Sequence, residues 1–190
     1  PIPTGFVDIT TLLPKVILDV RYATENNFIG TRIDGYESPR CYLTRQAATA
    51  LSKAYKELQI QGHRLRIYDC YRPQRAVNHF IRWAKDLSDQ KMKKVYYPNE
   101  AKETLFDKGY IASRSGHSRG STLDLTIEGL DMGTAWDYFG DASHTAYPQI
   151  TPKQRANRQL LLELMAKHGF ENYSKEWWHF TPALCLAACI

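Results

Sequence analysis

Two short segments of this 190-residue chain contain side chains that could form a metal centre. The first runs from Ser115 to Asp124 and includes His117, and the second, Glu176-Trp-Trp-His179, comes near the carboxyl end. A catalytic zinc ion usually takes three protein ligands from His and Asp or Glu and keeps a fourth position open for water. His117, Asp124 and His179 would supply these three ligands. Glu176 would then remain as a base that moves protons.

A simpler interpretation of the same residues is favoured by spacing alone. His and Asp are common residues, so His117 could be an ordinary loop histidine and Asp124 could be satisfied by hydroxyl or guanidinium groups. Two observations favour the metal centre instead. Gly116 and Gly120 bracket the histidine, which suits a close turn of the backbone in front of a ligand. Two tryptophans also follow Glu176, where they could shield the site from water.

Arg72 is the next candidate, because it follows the end of a predicted strand and could reach into a cleft. Its guanidinium could stabilise the oxyanion that forms during amide hydrolysis, or it could bind a substrate carboxylate in bidentate fashion. A structural ion pair with Asp69 would explain the residue equally well. Asp137 could pair with a substrate ammonium, although its spacing does not single it out. Nucleophilic catalysis has little support, since the chain contains no Gly-x-Ser-x-Gly sequence.

The elements that must position these residues form one predicted α+β domain over residues 1–190, with no repeat or linker. Alternating and β-branched patterns predict strands at Val16–Tyr22, Leu65–Tyr68, Leu123–Ile127 and Glu171–Phe180. Apolar residues at helical spacing predict helices at Thr44–Leu58, at Gln74–Leu87 and over residues 152–169. Thr44 and Thr151 are the predicted N-caps, and Pro152 suits a first helical position. The long loops 23–40 and 128–150 are predicted to act as lids over the site.

Composition excludes several classes of function. The chain is 43% hydrophobic and 12% aromatic, which indicates a folded globule. No run of about 18 apolar residues occurs, so no membrane span is predicted. The formal net charge of +5 is modest, and the basic cluster Lys91–Lys94 lies among acidic residues. A nucleic-acid partner is therefore not expected.

Four cysteines leave the redox compartment open. Cys41, Cys70, Cys185 and Cys189 could form two disulfides or remain four buried thiols, and structural roles are expected for all of them. The sequence begins at Pro1, which is compatible with a removed signal peptide and with a trimmed initiator Met.

A set of motifs spread over nearly the whole chain carries a family resemblance. The sequence resembles the D-alanyl-D-alanine dipeptidases of the vancomycin-resistance type. These are zinc peptidases related to peptidoglycan D,D-carboxypeptidases and to the hedgehog signalling domain. The matching segments are Arg21–Thr24, Asn27–Phe28, Asp34–Tyr36, Tyr71–Gln74, Gly109–Ala112, Ser115–Ser121, Asp124–Thr126, Met132–Gly133, Ser143–His144 and Glu176–His179. The Tyr-Arg-Pro-Gln sequence and the Ser115–Ser121 run make the resemblance specific.

The resemblance implies a role for each candidate. It implies one Zn²⁺ per chain with three ligands and a general base, and an arginine that stabilises the oxyanion. It also implies three residues that line a dipeptide pocket, one of them a partner for the substrate ammonium. The implied ligands are His117, Asp124 and His179, the base is Glu176, the arginine is Arg72, and the pocket residues are Tyr22, Ser115 and Asp137. The implied fold is α+β, with a central, mostly antiparallel sheet flanked by helices.

The expected function is therefore zinc-dependent hydrolysis of D-Ala-D-Ala, to clear peptidoglycan precursors in antibiotic resistance or to recycle D-alanine. The alternatives are a D,D-carboxypeptidase or endopeptidase that acts on longer peptidoglycan peptides and a non-catalytic zinc-binding interaction domain. Retention of Glu176 and Arg72 argues against the last of these. The partner is a small dipeptide, and a homo-oligomer is allowed. If the cysteines pair, export to the periplasm is expected.

Overall fold

Short strands and helices surround the predicted site segments. The computed structural model describes residues 4–187 of the chain. Its strands within this range are β1 (Phe6–Asp8), β2 (Ile17–Leu18), β3 (Tyr42–Thr44), β4 (Leu65–Asp69), β5 (Leu123–Ile127), β6 (Phe170–Asn172) and β7 (His179–Pro182). The helices are α1 (Arg45–Ile60), α2 (Gln74–Lys85), α3 (Lys93–Tyr96), α4 (Pro152–Lys167) and α5 (Ala183–Ala187).

The central sheet has five strands in the order β2-β4-β5-β7-β6, and β1 and β3 form a separate antiparallel pair. Only the β2–β4 pairing in the sheet is parallel, and the other three pairings are antiparallel. In the antiparallel β5–β7 pair, Asp124 lies opposite His179. On the other side of β5, Asp124 is also paired with Asp69, just after an irregularity in β4. The sheet therefore brings three polar side chains of distant segments into one row.

Local sequence signals account for the two long helices. Thr44 caps α1 by accepting a hydrogen bond from the backbone N–H of Ala47. Thr151 and Gln154 form a reciprocal capping box at the start of α4, with Pro152 at the first helical position. Both predicted N-caps are confirmed.

Two predicted strands were wrong in extent. The strand predicted at Val16–Tyr22 is confined to β2 and is followed by a 3-10 turn at Arg21–Ala23, which turns the side chain of Tyr22 into the core. The segment Glu171–Phe180 is a hairpin, β6 and β7, and not one strand. The Asn172 side-chain amide holds the connecting turn, since it donates to the carbonyls of Glu176 and His179, both at 3.0 Å. The turn contains two large apolar residues, Trp177 and Trp178, which are buried. In the sequence these residues are typical of a strand, so the turn was not recognised.

A continuous hydrophobic core lies on both sides of the sheet, and all five residues of β5 are buried. A buried carboxylate such as Asp124 is unfavourable unless a polar partner or a cation compensates its charge.

The sheet order and the helices confirm the predicted α+β single-domain fold with a mostly antiparallel sheet. Between residues 4 and 187, no helix combines the length and the hydropathy that crossing a membrane requires.

The long loop between β5 and α4 is fastened to α4 by a buried arginine. Arg158 donates hydrogen bonds to the carbonyls of Met132, Ala142 and His144 at 2.6–2.7 Å. Burial lowers the pKa of this guanidinium to about 10. Since the loop contains Asp137, these three hydrogen bonds help to hold a predicted site residue in place.

Cys41 and Cys70 form a disulfide that links the segment before β3 to the end of β4. The cysteine count had left disulfides and free thiols equally open, and for these two residues the structure has the disulfide. A bridge between Cys185 and Cys189 is not described, because Cys189 lies outside the residues that the structure describes.

Candidate active site

Three predicted ligands converge at the centre of the sheet. His117 lies in the 3-10 turn Gly116–Arg119, Asp124 on β5 and His179 at the start of β7. The Oδ1 atom of Asp124 is 3.2 Å from His117 Nε2 and 3.2 Å from His179 Nδ1. One ligand atom from each residue falls within 4.8 Å of the others. We call these three residues the His–Asp–His cluster.

The ring of His117 is oriented from outside the cluster. Its Nδ1 lies 2.9 Å from the backbone carbonyl of Cys70 and so carries the proton. The lone pair of Nε2 consequently faces the cluster. Nε2 of His117 and Oδ1 of Asp124 are both buried without a hydrogen-bond partner among the described residues. A bound cation would satisfy both atoms at once.

Asp124 is oriented in the same way. The indole Nε1 of Trp136 donates to Oδ2 of Asp124 at 3.1 Å and leaves Oδ1 for the cluster. Burial acts to lower the pKa of His179, but the carboxylates of Asp124 and Glu176, 3.2 and 3.3 Å from its Nδ1, raise it to about 10. The carboxylates thus make the cluster a favourable place for positive charge. Two histidines and one carboxylate are a donor set that fits zinc, and hydrogen bonds to the outer atoms of His117 and Asp124 orient two of the three ligands.

Glu176 lies beside the cluster in the turn between β6 and β7. Its Oε2 is 3.3 Å from His179 Nδ1, and its side chain is only partly buried. The turn is rigid, because Asn172 holds the Glu176 carbonyl while both adjacent tryptophans are buried. Trp177 and Trp178 pack in the core, and the indole N–H of Trp177 donates to the hydroxyl of Thr134 at 2.8 Å. A carboxylate in this position can exchange protons with a group bound at the cluster.

Arg72 forms the structural ion pair and also reaches into the site. Its Nε and Nη2 atoms contact Oδ2 of Asp69 at 3.0 and 2.8 Å, so the structural ion pair exists. The same guanidinium reaches the site, with Nη1 3.5 Å from Ser115 Oγ and Nη2 4.0 Å from Asp124 Oδ2. Its flat face packs over the rings of Tyr22 and Phe80. The ion pair therefore orients the group that faces the site.

Asp69 is a site residue that the sequence analysis considered only as a structural partner. Its side chain is fully buried and also accepts a hydrogen bond from the hydroxyl of Tyr36 at 2.6 Å. His117 Nδ1 lies 3.5 Å from the same carboxylate. Asp69 thus links the position of Arg72 to that of a cluster ligand. The available signal was its place at the end of a strand directly before the Cys-Tyr-Arg-Pro sequence.

Asp137 and Tyr22 form a second polar pair in the site. The Tyr22 hydroxyl donates to Oδ2 of Asp137 at 2.5 Å, and both side chains are buried. Asp137 has φ of +61°, a left-handed conformation that is uncommon outside glycine and tends to occur at functional sites. Burial, reinforced by the negative charge of Asp124, raises the pKa of Asp137 well above its usual range. A positively charged ligand would favour the ionised carboxylate again.

All eight predicted site residues line one cavity of about 250 Å³, which we call the site cavity. It is also lined by residues to which the sequence analysis gave no role in the site, namely the apolar rings Phe28, Phe80 and Phe139, together with Tyr110, Arg114 and Tyr173. Phe80 could not be distinguished from the other apolar residues of α2 in the sequence, because its helical spacing is the same, and Phe28 and Phe139 lie in loops, where no periodic pattern marks them.

Comparison with known proteins identifies the family. The family model described as D-ala-D-ala dipeptidase matches residues 3–184. The chain belongs to the D-ala-D-ala dipeptidase family. This confirms the resemblance found in the sequence and the prediction of a metallopeptidase.

Individual relatives of this dipeptidase family agree with the match. A D-alanyl-D-alanine dipeptidase of Enterococcus faecium is 41% identical over 182 residues, which are 93% of this chain and 90% of the relative. A D-alanyl-D-alanine dipeptidase of Streptomyces coelicolor is 40% identical over 183 residues, with the same coverage of 93% and 90%. Among solved structures, the LdcB LD-carboxypeptidase has a TM-score of 0.50 at 16% identity, and the match covers 97% of this chain and 72% of that one. The last match supports the fold alone.

Proposed function

We propose that this chain is a zinc-dependent dipeptidase that hydrolyses D-Ala-D-Ala to two molecules of D-alanine. The observation that carries the proposal is the small site cavity, which is lined by both the His–Asp–His cluster and the buried Tyr22–Asp137 pair. Relatives named D-alanyl-D-alanine dipeptidases, at 40–41% identity over most of the chain, support the same substrate.

The chemistry needs an activated water, a base and a stabilised oxyanion. Zinc held by His117, Asp124 and His179 would supply a positive charge that lowers the pKa of water and polarises a carbonyl group. Glu176 takes one proton from the attacking water while the water oxygen forms a bond to the carbonyl carbon of the peptide. The carboxyl group of Glu176 then passes this proton to the departing nitrogen as the peptide C–N bond breaks. Two D-alanines leave, and Glu176 is again ionised.

Arg72 stabilises the negative charge that develops on the carbonyl oxygen. Its Nη1 and Nη2 atoms face the site while Asp69 holds Nε and Nη2, so the guanidinium is oriented before the substrate arrives. A donor that is already oriented needs no reorganisation in the transition state, which is why such groups stabilise an oxyanion effectively.

Asp137 limits the substrate to two residues. Its carboxylate, oriented by the Tyr22 hydroxyl, pairs with the free ammonium of the first D-alanine. A longer peptide has an amide in place of this ammonium and needs space for further residues. The cavity of about 250 Å³ and its buried carboxylate therefore favour a dipeptide over a peptidoglycan stem peptide.

A substrate panel tests the proposal directly. D-Ala-D-Ala, L-Ala-L-Ala and a pentapeptide that ends in D-Ala-D-Ala are incubated with the protein, with and without a chelator, and the release of alanine is measured. We expect rapid cleavage of D-Ala-D-Ala alone, loss of this activity with the chelator and recovery when zinc is added. Pentapeptide cleavage as fast as dipeptide cleavage would instead identify a D,D-carboxypeptidase. Failure to cleave any of the three would reject the proposed activity.

The protein is further proposed to function in the periplasm. The support for this location is the buried Cys41–Cys70 disulfide, since disulfides persist in oxidising compartments and are rare in the cytosol. In cells that produce the protein, we expect it in the periplasmic fraction. Mass spectrometry after thiol labelling of the denatured protein should find Cys41 and Cys70 modified only when a reductant was added first. Labelling of both residues without a reductant, in protein from the cytoplasmic fraction, would contradict this location.

A further inference from the structure

The proposed substrate carries a charge to which no residue has been assigned. D-Ala-D-Ala is a zwitterion with an ammonium group at one end and a carboxylate at the other. Asp137 accounts for the ammonium. The carboxylate needs positive charge or hydrogen-bond donors. It would otherwise be repelled by the three carboxylates that line the site cavity, those of Asp124, Asp137 and Glu176.

Among the residues that the structure describes, two arginines line the site cavity, Arg72 and Arg114, and the two histidines of the cavity belong to the His–Asp–His cluster. Arg72 is committed to Asp69 on one side and faces Ser115 and Asp124 on the other. Arg114, by contrast, has no hydrogen bond or ion pair to any residue within 4–187 and is exposed to solvent. Its guanidinium is therefore available to a ligand.

We propose that Arg114 binds the carboxylate of the second D-alanine and makes the enzyme prefer a free C-terminus, an inference that rests on the proposed function. Arg114 precedes the ligand His117 by three residues, so their Cα atoms are at most about 11 Å apart. A dipeptide spans about 7 Å, which this distance and the length of an arginine side chain accommodate. The fork of a guanidinium also matches a carboxylate with two parallel hydrogen bonds.

The burial of the two ends gives the substrate a direction. Asp137 is only 6% exposed, whereas Arg114 lies in the exposed segment that leads into the 3-10 turn of His117. The ammonium end of the dipeptide therefore enters first, and the carboxylate end remains at the solvent side. In this orientation Arg72 and the His–Asp–His cluster act on the bond between the two ends.

The test compares two substrates that differ only in this charge, D-Ala-D-Ala and D-alanyl-D-alaninamide. The wild-type enzyme is expected to favour the free acid over the amide by at least about tenfold in kcat/KM. Arg114→Gln should abolish most of this preference, with KM for the acid raised at least about tenfold and kcat little changed. Arg114→Lys keeps the charge and should restore part of the preference.

Arg75→Gln is the matched control, because it removes the same charge from an exposed arginine that lies outside the site cavity and pairs with Glu37. It should leave the acid-to-amide ratio at the wild-type value. An unchanged ratio in Arg114→Gln would overturn the inference, as would a wild-type enzyme that cleaves acid and amide equally well. If the wild-type enzyme cleaves neither substrate, the proposed function fails and this inference fails with it. A variant that merely misfolds would lose activity on both substrates without a change in their ratio.

Discussion

Replacing Glu176 with Gln is expected to lower kcat for D-Ala-D-Ala by about 10²–10⁴-fold while zinc remains bound. The amide has nearly the same shape as the carboxylate but cannot accept a proton from water. Its backbone is held by Asn172, so the turn and His179 should keep their positions. The measurements are steady-state kinetics and the zinc content of the purified variant.

Glu171→Gln provides the control for this variant. Glu171 is an exposed carboxylate on β6, in the same hairpin as Glu176, and does not line the site cavity. This control should have wild-type kinetics. Near-wild-type activity of Glu176→Gln would show that another group is the base. Stoichiometric loss of zinc from Glu176→Gln would instead make Glu176 a ligand.

Replacing Arg72 with Ala is expected to lower kcat/KM by about 10²–10³-fold, because the oxyanion loses its oriented donors. The same substitution leaves the buried carboxylate of Asp69 without its cation. Removing one partner of a buried ion pair lowers the free energy of unfolding by about 3–5 kcal/mol. Arg72→Lys separates the two effects. The lysine preserves a positive charge for Asp69, but its single ammonium cannot contact Asp69 and the substrate oxygen with the geometry of a guanidinium.

The measurements for Arg72 are kinetics and urea unfolding of both variants. We expect Arg72→Lys to be more stable than Arg72→Ala and still strongly impaired in kcat. Arg82→Ala on α2 is the control, since it removes an exposed arginine whose partner is the exposed Asp34. Arg82→Ala should leave kcat unchanged and change the free energy of unfolding little, because a surface ion pair contributes at most about 1 kcal/mol to stability. A folded Arg72→Lys variant with wild-type kcat would contradict the role of Arg72 at the oxyanion.

Local patterns in the sequence were sufficient for much of the fold. The capping residues Thr44 and Thr151 mark the starts of α1 and α4, because a capping interaction involves residues only three positions apart. The apolar alternation of Leu123–Ile127 identifies β5, since neighbouring side chains on a strand point to opposite faces. The hairpin of β6 and β7 was not predicted, because the apolar tryptophans in its turn are residues typical of a strand.

The chemistry of the site could also be anticipated from residue types. Two histidines and a carboxylate can bind zinc, and Glu176, three residues from His179, can act as a base beside it. Spacing alone favoured ordinary loop and strand residues, and the motifs of the family resemblance decided for the metal centre. The motifs of the resemblance placed Tyr22, Ser115 and Asp137 in one pocket before the structure did, and all of them line the site cavity.

Tertiary structure alone decided how these groups are oriented and which further residues support them. Asp124 lies opposite His179 because β5 pairs with β7, although the two residues are far apart in the chain. The hydroxyl of Tyr22 reaches Asp137 across a separation of 115 residues. Local sequence patterns report on neighbours within a few positions, whereas these contacts depend on strand register and on the packing of loops against the core. The sequence by itself therefore determined which groups could do the chemistry, and the packed sheet determined where each of them points.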